Sequence, residues 1–122
     1  MIDLSDGVKL FNNADFFESH DYFEDLWMNA EHPDRLFYQG MVQISVGCYH
    51  LEHKNYKGAL SQFTRGSEKL IRYPEIYNGV NLSKLLKDVE PLKEKLEKYF
   101  SGELTSIIYK NCPELEYNIV NS

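Results

Sequence analysis

Apolar positions recur at helical spacing in five blocks along this chain, separated by turn-forming residues. Val8, Leu10 and Phe11 mark a short first helix, with Ser5 as its expected cap. Asn12 and Asn13 suit a turn. Asp15 then caps a second helix, with Glu18 placed to complete a capping box. That helix runs to about Ala30, where His32-Pro33-Asp34 breaks it. The third block, Arg35 to His53, is apolar nearly all round and predicts a central helix. Asn55 is expected to cap a fourth helix with the inner stripe Tyr56, Ala59, Leu60, Phe63, Ser67, Leu70 and Ile71, in which Gly58 and Gly66 permit close approach.

Tyr73-Pro74 ends the fourth helix, and Asn78-Gly79 marks a turn. A last helix starts near Asn81 and keeps its spacing through Leu82, Leu85, Leu86, Val89, Leu92, Leu96 and Phe100, with a kink or restart expected at Pro91. Gly102 is a suitable stop. Ile107, Ile108 and Tyr109, before Cys112-Pro113, read as an extended segment without a partner strand, draped over the helices. The fold class expected is all-α: one domain over 1–122, with a bundle of about five helices over 1–102 and an irregular tail over 103–122 packed on it.

Two of these helices carry polar groups where apolar ones are expected. On the second, Phe23, Trp27, His20 and Glu24 all lie within about 100° of the Phe16 line. On the third, Gln43 and His50 lie within about 40° of Gln39, among Val46, Leu36 and Gly47. Burying such groups costs free energy unless they find partners. The pattern therefore marks either a structural polar network or a site. Glu18 falls opposite His20, which suits the capping role. Trp27 reads as a core anchor, Asp21 and Asp25 as solvated charges, His32 and His53 as exposed, and Arg35 as a partner for a carboxylate of the second helix.

Composition narrows the classes. A hydrophobic fraction of 43% and an aromatic fraction of 14% over 122 residues support a packed core. A net charge of −6 with scattered Lys and Arg argues against nucleic acid and anionic membrane partners. The run KLLKDVEPLKEKLEK interleaves both signs and reads as a solvated helix face. Neither a spanning segment nor a signal peptide is expected. Cys48 and Cys112 lack CxxC spacing, so no disulfide or zinc-thiolate framework is expected, and a reducing cytoplasm is the expected compartment. Tyr and Phe outside the core stripes leave room for a homodimer.

The run FNNADFFESHDYFEDLW, followed by RLFYQGMVQ, His50 and NYKGAL, resembles the bacterial and archaeal domain of unknown function 309 family. That family carries F-N-x-G-x-[YF]-[FW]-E-x-H-E-x-x-E-x-x-W, then Q-G-[LI]-[IV]-Q, a histidine and N-x-x-G-A. The matching positions are Phe11, Asn12, Phe16, Phe17, Glu18, His20, Glu24, Trp27, Gln39, Gly40, Gln43, His50, Asn55, Gly58 and Ala59. Ala14 stands where the family usually has glycine, and Asp21 where it usually has glutamate. The resemblance covers roughly Val8 to Leu70 and implies an all-helical fold without bringing an activity.

Three functional readings result. The preferred one is a non-catalytic module that binds a small ligand or a protein partner through His20, Glu24, Gln39, Gln43 and His50. The runner-up is a metal-dependent hydrolase, with His20, Glu24 and His50 as ligands to zinc, manganese or iron and Glu18 or Asp21 nearby. In the third, a loose likeness between Asp15-Phe16-Phe17-Glu18 and Asn55-Tyr56-Lys57-Gly58 points to a tetratricopeptide-like interaction domain whose polar cluster is structural.

Overall fold

A computed structural model describes residues 2–104, 107 and 112–118. Five helices form an all-α bundle: α1 (Ser5–Asn12), α2 (Phe16–Asn29), α3 (Asp34–Glu52), α4 (Tyr56–Leu70) and α5 (Leu82–Phe100). Among the described residues no helix is long and apolar enough to cross a membrane. The expected segment at Ile108 and Tyr109 lies outside the described residues.

The α1–α2 and α3–α4 connections are the same backbone device. At the end of α1, Asp15 N donates to Leu10 O (2.9 Å) and Ala14 N to Phe11 O (3.0 Å), with Ala14 at φ 62°. At the end of α3, Asn55 N donates to His50 O (2.8 Å) and Lys54 N to Leu51 O (3.1 Å), with Lys54 at φ 59°. Both are Schellman stops built on a left-handed residue. The similar residues forty positions apart in the sequence are thus the entries to α2 and α4. Gly102 (φ 86°) ends α5 in the same way.

A left-handed alanine is strained by its Cβ. Ala14→Gly is therefore expected to stabilise the fold by about 0.5–1 kcal/mol, the relief of strain exceeding the entropy that glycine adds to the unfolded chain. A thermal melt checks this, and an unchanged or lower Tm would show that the turn tolerates the Cβ without strain.

Two expected caps differ in the structure. Ser5 does not cap α1. Its own N–H and hydroxyl both donate to Asp3 Oδ1, which lies two residues earlier and accepts in its place. Those hydrogen bonds hold the Asp3 carboxyl below its usual range. Asp15 occupies the N-cap position of α2, but its side chain makes no cap bond, so the capping box with Glu18 does not form. The Schellman turn has already set the entry, and Asp15 contributes its carbonyl to Ser19 N (2.9 Å). Asn55 does cap α4, accepting from Gly58 N at 3.0 Å.

Asn78-Gly79 forms the turn of a hairpin that the sequence did not reveal. Strands β1 (Ile76–Tyr77) and β2 (Val80–Asn81) pair antiparallel, with Asn78 and Gly79 both at positive φ. Two-residue strands are too short to show an alternating pattern. Tyr117, in the described segment 112–118, adds an isolated antiparallel bridge to Val80. Tyr77 OH donates to Asp34 Oδ1 and Tyr73 OH to Pro33 O, tying the hairpin region to the start of α3. Burial, with the nearby Asp34 charge, pushes the Tyr38 hydroxyl up to about 12.

No restart occurs at Pro91, and α5 continues through it. Leu85, Val89 and Leu96 are buried on both sides of the proline, while Pro91 and Lys87 face solvent. The carbonyl that Pro91 cannot serve is therefore on the wet side.

The core is centred on α3, which packs against both α2 and α4. Phe37, Met41, Ile44 and Cys48 are each 0% exposed. The α3–α4 contact is close because glycines line it. A Cβ on Gly47 would lie 2.6 Å from Phe63 Cδ1, and one on Gly66 would lie 2.9 Å from Ile44 Cδ1.

Candidate functional site

The α2–α3 pair is pinned by Ser19 and Ser45, whose hydroxyls meet at 3.1 Å in the core. Sequence reasoning missed this pair, although Ser19 lies on the Phe23 side of its helix wheel. The contact sets the register of the antiparallel helices. His20 falls level with Gln43 and Ile44, and Glu24 falls between Gln39 and Gln43. His50 lies beyond the start of α2, about 9 Å along the axis from His20.

The polar residues of α3 are less buried than the apolar wheel suggested. Ile44, Gly40 and Gly47 face α4, Ser45 and Tyr49 face α2, and Phe37 and Cys48 face the core. The remaining line, Gln39, Gln43, Val46 and His50, is half-buried. Two flanking helices cover its sides without covering its outer edge.

On α2, His20 Nε2 meets Glu24 Oε2 at 2.7 Å across one helical turn. The other ring nitrogen lies 3.3 Å from Asp21 Oδ1 and 3.3 Å from Phe17 O. His20 is mostly covered (23% exposed) and Asp21 mostly open (59%). Donor atoms of His20, Asp21 and Glu24 lie within 4.8 Å of one another, and among the described residues no other such group of three occurs. His50 stands outside it.

A local relay fixes His50. Asn55 Oδ1 accepts from Gly58 N, which turns the amide nitrogen of Asn55 toward His50 Nδ1 at 3.3 Å. That nitrogen can only donate, so His50 Nδ1 accepts and the neutral ring carries its proton on Nε2. Gly58 is required at its position, because a Cβ there would lie 2.8 Å from both His50 Cδ2 and Asn55 Nδ2. Ala59 is 0% exposed. The N-x-x-G-A run thus serves to close the α3–α4 turn and hold one histidine.

At the other end of the seam, Arg35 does not pair with a carboxylate of α2. Its guanidinium sits 5.2 Å from the Trp27 ring centroid and donates to Trp27 O (3.1 Å) and Ala30 O (3.3 Å), serving the open carbonyls of the helix end. Among the described residues, two buried side-chain atoms on these helices have no hydrogen-bond partner: Trp27 Nε1, a donor, and Gln43 Oε1, an acceptor. Gln39 is half-buried one turn from Gln43.

A family model described as Domain of unknown function (DUF309) matches residues 4–62. It spans α1, α2, α3 and the first half of α4, and so includes all five candidate residues. The hairpin and α5 lie outside it. No curated protein matches the chain.

Proposed function

We propose that this chain, which belongs through residues 4–62 to the DUF309 family, is a non-catalytic helical module that binds an extended segment of a protein partner along α2 and α3. The observation that carries the reading is Gln43 Oε1, a buried acceptor left without a donor on the half-buried outer line of α3. An orphaned buried polar group costs about 1–3 kcal/mol, so it is retained at the expense of stability. A peptide N–H that displaces the groups now covering Gln43 Oε1 would supply the missing donor. From Gln39 to His50 the line runs about 16 Å, the length of roughly five extended residues and more than one small ligand spans. His50 offers an Nε2–H donor at one end, and the His20–Glu24 pair lies beside the middle.

Gln43→Leu tests this directly. It is expected to raise Tm, by removing an unsatisfied acceptor, and to weaken by at least about tenfold the binding of linear peptides selected on the wild-type protein from a displayed random library. Loss of stability in Gln43→Leu would mean that the glutamine holds the helices together, and unchanged peptide binding would refute the site.

A divalent cation on α2 is the second reading, favoured by the proximity of the His20, Asp21 and Glu24 donor atoms. Such a site suits zinc or manganese and could activate water. Elemental analysis of protein purified without chelator, against His20→Ala/Glu24→Ala, decides it. Near-stoichiometric metal present only in the wild type supports this reading, and equal traces in both end it.

A further inference from the structure

Helices α4 and α5 run antiparallel, with the Tyr56 ring at the start of one 5.0 Å from the Tyr99 ring near the end of the other. α4 buries Ala59, Phe63 and Gly66, and the opposite side of its wheel carries Lys57, Ser61 and Arg65. Along that side lies a cavity of about 600 Å³, lined by these three with Leu60, Glu68 and Phe100 of α5. Phe100 is 51% exposed. At the other end of the helix pair, a second cavity of about 290 Å³ is lined by Ile71, 70% exposed, and by Leu86 of α5. Glu75 and Lys87 are its charged residues. We infer that the α4–α5 seam is a docking surface for an acidic amphipathic helix of another protein.

Charge points to the sign of the partner. From Lys54 to Arg72 the chain carries five Lys and Arg against the single acid Glu68, although its net charge is −6. Among the described residues, Lys57 and Arg65 form no ion pair. They are placed to meet carboxylates that flank an apolar stripe. The exposed Phe100 and Ile71, at opposite ends of the seam, give that stripe two apolar contacts.

The lining points to a helix. Besides its charged groups, the larger cavity offers only the hydroxyls of Ser61 and Thr64. An extended segment would leave backbone groups unpaired there, whereas a helix satisfies its own. From Lys57 to Ile71 α4 runs about 21 Å, the length of about fourteen helical residues. A helix lying along two antiparallel helices reads them through apolar anchors one turn apart. Nucleic acid fits less well, because Glu68 stands between Arg65 and Arg72 and the groove floor is apolar.

The test titrates the full-length protein into a fluorescein-labelled helical peptide of about fourteen residues, with leucines on one face and glutamates on the other, and reads anisotropy. The same residues in scrambled order and a labelled oligo-dT serve as comparisons. The acidic amphipathic peptide is expected to bind, and added salt to weaken it. Lys57→Glu/Arg65→Glu, Phe100→Ala/Ile71→Ala and scrambling should each cost at least about tenfold in affinity. All four positions are exposed, so thermal melts of both double variants should match the wild type. Gln43→Leu should bind this peptide as the wild type does, which separates the surface from the α2–α3 line. No binding, equal binding of the scrambled peptide, or wild-type affinity in both double variants would overturn the inference. So would tighter binding of the oligonucleotide, or self-association of the chain that the same substitutions abolish.

Discussion

Phe63→Ala should destabilise the protein by about 3–5 kcal/mol, a large fraction of the total stability of a domain this size. Phe63 is 0% exposed on α4, and its ring covers Gly47 of α3 so closely that even a methyl group there would lie 2.6 Å from it. Truncation leaves a cavity at the closest approach of the two helices, and neither backbone can collapse into it without shifting Gly40 and Gly66 as well. The same contact predicts a coupling. Gly47→Ala should cost about 1–3 kcal/mol in the wild type through overpacking, and much less when Phe63 is already alanine. Urea unfolding of the four proteins in the cycle measures it. Additive effects would show that the ring and the glycine do not act on each other. Because Gly58 of α4 and its N-cap residue Asn55 hold His50, loosening this contact should also weaken the peptide binding proposed above.

Replacing Asn12 by alanine is expected to cost about 2–3 kcal/mol and to open the C-terminal segment to proteases. Its side chain serves both backbone groups of one residue: Leu115 N donates to Asn12 Oδ1 at 2.6 Å, and Asn12 Nδ2 donates to Leu115 O at 3.0 Å. Alanine would leave both of those partly buried groups unpaired. Asn12→Asp keeps the acceptor and loses the donor, so it should fall between the two. Limited proteolysis followed by mass spectrometry reads cleavage within 112–118. A wild-type Tm and a wild-type digestion pattern in Asn12→Ala would rule out the clamp.

Asn12 shows why a residue can be visible in the sequence while its role is not. It stands in the motif that resembles the family, and it reads locally as a turn former. Its partner is near the other end of the chain, and no spacing rule connects them. Gly58 is the opposite case. Its neighbours Asn55 and His50 lie close by in sequence, and the cap at Asn55 was legible there, but the histidine pressed against the glycine was not. Ala14 falls between these cases. The sequence showed an alanine in the family's glycine position, and the structure shows the positive φ that makes glycine the usual residue.

What the sequence by itself determined is the set of five helices and nearly all of their bounds. Helical periodicity repeats within a few residues, and caps and stops act within one turn. It also singled out His20, Glu24, Gln39, Gln43 and His50, because polar residues on apolar stripes are anomalies of that same short period. Tertiary structure alone decided the rest. It set the α2–α3 register through Ser19 and Ser45, drew His20 and Glu24 together with Asp21 while leaving His50 beyond them, and left the α3 ladder half-buried instead of enclosed. Each of these depends on how one helix or segment lies against another, and that follows from the packing of the whole core, which no local pattern encodes.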